Sequence, residues 1–190
     1  RWRTQQRERA AHTSMLEAMT QFGAGRYLRA RKSAEAALAR EQALREAGDV
    51  LPHRASLRTL AHLAVAESAH ALQDHATRAT HPALAPDRAA APGAPPELRE
   101  GVLLRAARWS LNDRDPIAAM ARLDELPAGA TRRTAALRVK LKAARLAGHQ
   151  RDALDTARLL AKHGAFSREA AGTLVRTLAA DQIAHAPDAA

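Results

Sequence analysis

Alanine decides what this chain can become. It fills 49 of the 190 positions and leucine 24 more, against five valines and two isoleucines. Alanine and leucine are strong helix formers, whereas pleated sheets are packed with β-branched and aromatic side chains, so the balance predicts an all-α fold. Alanine also takes so little space that helices meeting along it approach closely, and flanking leucines fill what remains. The length suits one compact domain or a short array of repeats. There is no cysteine, which removes disulfides, thiolate nucleophiles, thiolate zinc and iron–sulfur sites.

Apolar positions recur at intervals of three and four through most of the chain. They predict helices over 5–22, 27–47, 56–72 with a shorter one reaching Ala79, 97–111, 117–126, 131–147, 151–163 and, capped by Ser167, up to Ile183. Gly23-Ala24-Gly25, Gly48 and Gly148 supply stops, and Pro116 suits a first helical turn. Residues 81–96 hold five prolines among alanines and read as an exposed connector. One continuous solenoid is expected, with helical-repeat segments over 1–80 and 97–183 and a frayed tail over 184–190.

The predicted helices pair across turns near 25, 74, 114 and 148. After the first turn come Tyr27, Ala30, Ala34 and Ala37-Leu38; after the last come Ala153-Leu154, Ala157 and Leu160-Ala161. A glycine closing one helix, then small residues at four- and three-residue intervals on the next, is the tetratricopeptide pattern. The expectation is a right-handed array of antiparallel helix pairs, a tetratricopeptide-like superhelix.

Several segments resemble one family. The opening arginines, Gly25-Arg26-Tyr27-Leu28-Arg29-Ala30-Arg31-Lys32, the helix at 60–72 followed by Gln73-Asp74, and Asp115-Pro116-Ile117-Ala118-Ala119 belong to the likeness. So do Leu137-Arg138-Val139-Lys140-Leu141 and His163-Gly164-Ala165-Phe166-Ser167. Together they resemble the N-terminal domain of the HemY family, proteobacterial inner-membrane proteins whose genes sit with those of haem biosynthesis. The resemblance covers most of the chain, and the proline-rich stretch departs from it. It implies transmembrane helices before Arg1, further repeats after Ala190, and association with haem or porphyrin synthesis. A basic start beside such an anchor favours the cytoplasmic side of the membrane. A chain that starts at Arg1 is expected to be a trimmed or processed product.

The formal net charge is +10, and 26 of the 30 basic residues are arginine, which a GC-rich coding sequence explains as readily as a binding surface. Residues 1–45 carry ten basic and four acidic groups, the remainder twenty and sixteen. Acidic residues are interspersed and aromatics are few, so specific nucleic-acid recognition is not expected, although sequence-independent attachment at low salt is. The serines stand outside any Gly-x-Ser-x-Gly elbow, and no glycine-rich phosphate loop follows a strand. An enzyme is not expected, and no metal site is either.

Two constellations remain. Glu67 and His70 form a single Glu-x-x-His pair, where a di-iron bundle needs two such pairs. His70 and His75 stand as haem ligands in an alternative reading of the chain as a tetrapyrrole carrier. The stronger candidate is the inner face of the array, where Arg138, Lys142 and Arg145 share a stripe and Arg108 holds the equivalent line of the preceding repeat. Four converging cations would bind carboxylates of an acidic protein segment, a peptide tail or porphyrin propionates. The plain alternative is a solvated helix face. Met15, Met19 and Phe22 occupy the corresponding line of the first repeat and read first as packing residues. The expected partners are proteins, by resemblance the enzymes of haem biosynthesis, held by a non-catalytic scaffold.

Overall fold

The computed structural model describes residues 2–74, 76–77 and 93–184. They are helical with no strand among them: α1 (Trp2–Gly23), α2 (Tyr27–Glu46), α3 (Arg54–Ala71), α4 (Pro96–Asn112), α5 (Pro116–Asp124), α6 (Ala128–Thr131), α7 (Thr134–Leu146), α8 (Gln150–Lys162) and α9 (Arg168–Ala184). Among the described residues no helix is long and apolar enough to cross a membrane. Most of the expected connector and the expected tail, residues 78–92 and 185–190, lie outside the described residues, as does His75.

Six helices end in one geometry. At Gly148, with φ +73°, the N–H donates to the Arg145 carbonyl at 3.3 Å, and the His149 N–H donates to Ala144 at 2.9 Å. This pair of hydrogen bonds satisfies two carbonyls that a helix terminus otherwise leaves unpaired. Gly25, Gly48 and Gly164 repeat it with φ of 71°, 71° and 66°. Gln73 and Arg114 make the same pair of bonds at φ 58° and 59°, in a left-handed conformation that costs an L side chain about 1–2 kcal/mol. The turns near 25, 74, 114 and 148 are therefore one device, which glycine marks at only two of them.

The sequence-based helix over 131–147 is divided. Thr131 Oγ–H donates to the Ala128 carbonyl at 2.8 Å, closing the short α6, and Arg133 is extended at φ −70°, ψ 144° before α7 starts. A threonine hydroxyl that takes a local carbonyl competes with continuation of the ladder. The last helix is capped as its sequence suggests, with Ser167 Oγ accepting from the Ala170 N–H at 3.2 Å. Asp115 likewise caps α5, accepting from the Ala118 N–H at 2.9 Å.

The chain divides into two compact units, Arg1–Val102 and Leu103–Ala190, so the division falls inside α4. In the first unit α1, α2 and α3 pack around Met15, Ala18, Ala34, Ala37, Ala61, Ala64 and Val65. Five alanines among seven core residues bring the three helices together along their backbones. Glu41 is buried on α2 and Arg54 Nε lies 3.2 Å from its carboxylate, an ion pair although the N–H is not aimed for a hydrogen bond. Arg31 Nη1 donates to Asp74 at 2.8 Å, tying α2 to the end of α3. In the second unit α7 is the central element: Ala136, Val139 and Ala143 share a core with Leu103, Ala107 and Leu111 of α4 and with Ala119 and Leu123 of α5. Leu137, Leu141 and Ala144 share another with Leu154, Ala157 and Leu160 of α8 and Leu178 of α9.

Asp74 accepts from both the hydroxyl and the N–H of Thr77, at 2.7 and 3.0 Å. These bonds, with the Arg31 guanidinium, hold its carboxyl down at about 2. A depressed folded-state value means the stabilisation is present above the unfolded value of about 4 and is lost as pH falls through about 2. The difference in thermal stability between wild type and Asp74→Ala should therefore be constant above pH ~5 and shrink toward zero by pH ~2. The αL ends give a second expectation, read by urea denaturation. Gly148→Ala should cost about 1–2 kcal/mol although a Cβ there meets nothing within 4 Å, and Gln73→Gly should gain about 0.5–1 kcal/mol.

Candidate functional site

With two of its sides committed to packing, α7 has one stripe left for solvent. Arg138, Lys142 and Arg145, at intervals of four and three, occupy it and are exposed. At 1.5 Å per residue their positions span about 10 Å of helix axis.

The stripe borders a cleft made of two adjoining recesses within the second unit. One, of ≈ 290 Å³, is bounded by Arg108, Arg138 and Lys142; the other, of ≈ 690 Å³, by Arg114, Arg138, Lys142 and Arg145. Leu111 and Asn112 belong to both, and Leu141 and Leu146 add apolar surface to the larger. No aspartate or glutamate lines either recess. The four cations singled out from the sequence thus sit on one cleft.

Arg114 joins them, and stripe reasoning missed it because it lies in the turn after α4. Its signal was the short turn Asn112-Asp113-Arg114-Asp115 between two helices, a place where a side chain is carried by a left-handed backbone and not by a helical face.

Four arginines elsewhere have acidic partners. Arg31 meets Asp74, Arg54 meets Glu41, Arg122 meets Glu125 and Arg158 meets Asp155, at 2.8 to 3.4 Å. None of the five cleft cations makes an ion pair among the described residues. Arg138 is tethered, with Nη2 donating to the Ala165 carbonyl at 3.0 Å, which fixes the guanidinium while leaving other N–H donors for a ligand. The arrangement is a set of charge-assisted donors over an apolar floor, suited to an anion that also carries hydrocarbon.

The other candidates fall differently. His70 is half-buried in the last turn of α3, in the first unit. Among the described residues no three histidine, aspartate or glutamate side chains converge as a metal-binding group. Of the first-repeat line, Met15 is a core residue, Phe22 packs edge-on against Tyr27 with ring centroids 5.4 Å apart, and only Met19 is half exposed. A recess in the first unit, beside Tyr27, Leu28 and Leu72, carries just Arg26 and Arg29 as cations.

Comparison of the chain with protein families, with curated proteins and with solved structures finds no match.

Like charges four residues apart on a helix destabilise it by a few tenths of a kcal/mol, so the stripe is not there for stability. Lys142→Glu would set a carboxylate between Arg138 and Arg145. The melting temperature should hold or rise by about 1 °C while anion binding at the cleft is lost; a drop of several degrees would contradict this.

Proposed function

We propose that this chain is a non-catalytic scaffold whose cationic cleft holds acidic segments of partner proteins. The observation that carries the reading is the gathering of five cations, with no ion pair among the described residues, and no carboxylate around one leucine-floored cleft. Such a cleft works by shape and charge: the packed helices fix the donors, and the ligand supplies the missing anions. A tetratricopeptide-like, right-handed superhelix is the architecture we infer. Its support is the consecutive packing of α1 to α3 and of α7 to α9, and the shared turn geometry near 25, 74, 114 and 148. The resemblance to the HemY family supplies the proposed setting: enzymes of haem biosynthesis as partners, at the bacterial inner membrane, with this domain on the cytoplasmic side.

A second reading has one observation in its favour. Leucines beneath arginines also suit a porphyrin, with its propionates on the guanidinium groups and its ring on Leu111, Leu141 and Leu146. Titration with haem separates the two, since a saturable change in the visible spectrum supports the carrier and its absence removes it.

Exposed ion pairs contribute about 0.2–1 kcal/mol each and are screened over about 8 Å at physiological salt, so several cations must act together. The double variant Arg138→Glu, Lys142→Glu should lower capture of a glutamate-rich peptide at least tenfold with helicity unchanged, and wild-type binding should weaken steadily with salt. Capture that survives the double reversal would remove the proposal.

A further inference from the structure

The cleft continues past Arg145. That residue also borders a neighbouring recess of ≈ 540 Å³ formed with the first turns of α9, where the chemistry changes sign. Glu169 lines it, exposed and with no ion pair or side-chain hydrogen bond among the described residues. Of the hydroxyls beside it, Ser167 Oγ accepts from the Ala170 N–H, Thr173 Oγ accepts from Arg176 Nη2 at 3.2 Å, and Thr177 Oγ–H donates to the Thr173 carbonyl at 3.0 Å. A ligand arriving there meets the Arg145 guanidinium on the side of the stripe and the Glu169 carboxylate on the side of α9. From recess to recess the lining therefore runs from Arg108, through the Arg138–Lys142–Arg145 stripe with Leu146 beside it, to Arg145 and Glu169.

We infer that the partner segment is dipolar: acidic residues along α7, an aliphatic side chain over Leu146, and a lysine or arginine at the Glu169 end. This inference rests on the reading of the cleft as a site for acidic protein segments and adds the order of charges along the bound segment. A uniformly acidic segment is the competitor, because a chain of net charge +10 attracts anions in general. The two differ at Glu169, where a terminal acidic residue is repelled and a basic one is held. A like-charge contact of this kind is a means of refusing the wrong partner.

A charge-swap cycle at low salt tests it by fluorescence anisotropy. Two labelled peptides share an acidic block and a central leucine and differ in a distal block of lysine or glutamate. The full chain is used as wild type, Glu169→Lys and Glu169→Gln, with circular dichroism confirming helicity.

The wild type should bind the lysine-ended peptide about two- to fivefold more tightly. Glu169→Lys should reverse that order, and Glu169→Gln should bring the two peptides close to equality. A wild-type preference for the glutamate-ended peptide, or a ratio unchanged by Glu169→Lys, overturns the dipolar segment while leaving the acidic-segment reading in place. Binding of neither peptide removes that reading and this inference with it.

Discussion

Small side chains on two sides of one helix organise the second unit. Ala136 and Ala143 let α7 close against α4 and α5, while Ala144 on α7 and Ala157 on α8 do the same in the other direction, with leucines filling the layers between. A helix packed in this way has no freedom to roll, because any rotation would expose alanine and leucine from one layer and crush the other. Its remaining stripe is held at a fixed angle, and the stripe is Arg138, Lys142 and Arg145. The cleft is thus a by-product of core packing, and larger residues at the alanine positions would move the cations before they touched them.

Charge is placed with equal consequence. The chain has enough carboxylates to neutralise two thirds of its basic residues, and in several places it does so at short range, as at Arg54 with the buried Glu41 and at Arg31 with Asp74. Around the cleft it does not. Five cations without an acid are a local cost in self-repulsion, and the one carboxylate next along the groove, Glu169, stands in the adjoining recess and not among them.

Much of this was legible in the sequence because helices have one period. The alanine and leucine spacing gave the helices to within a few residues, and the same arithmetic put 138, 142 and 145 on one side. It was silent where the backbone departs from that period. Gln73 and Arg114 adopt the left-handed geometry that glycine usually announces, so the sequence located both turns but showed neither their geometry nor the place of Arg114 on the cleft. The break at Arg132–Arg133 depends on a threonine hydroxyl choosing a carbonyl, and the division inside α4 depends on contacts between distant residues; neither has a local signature. Glu169 has no sequence signal of this kind, since nothing in its neighbours tells that it borders a recess shared with Arg145.

Where an acidic ligand settles on the folded chain is the most direct measure of this account. Backbone amide shifts followed by NMR during titration with a glutamate-rich peptide should move in a saturable way at 108–114 and 138–146. The amides of α2, whose Arg29 and Lys32 are equally exposed, should stay in place. Shifts spread over exposed arginines and lysines throughout both units, with no saturation at the α7 stripe, would contradict it.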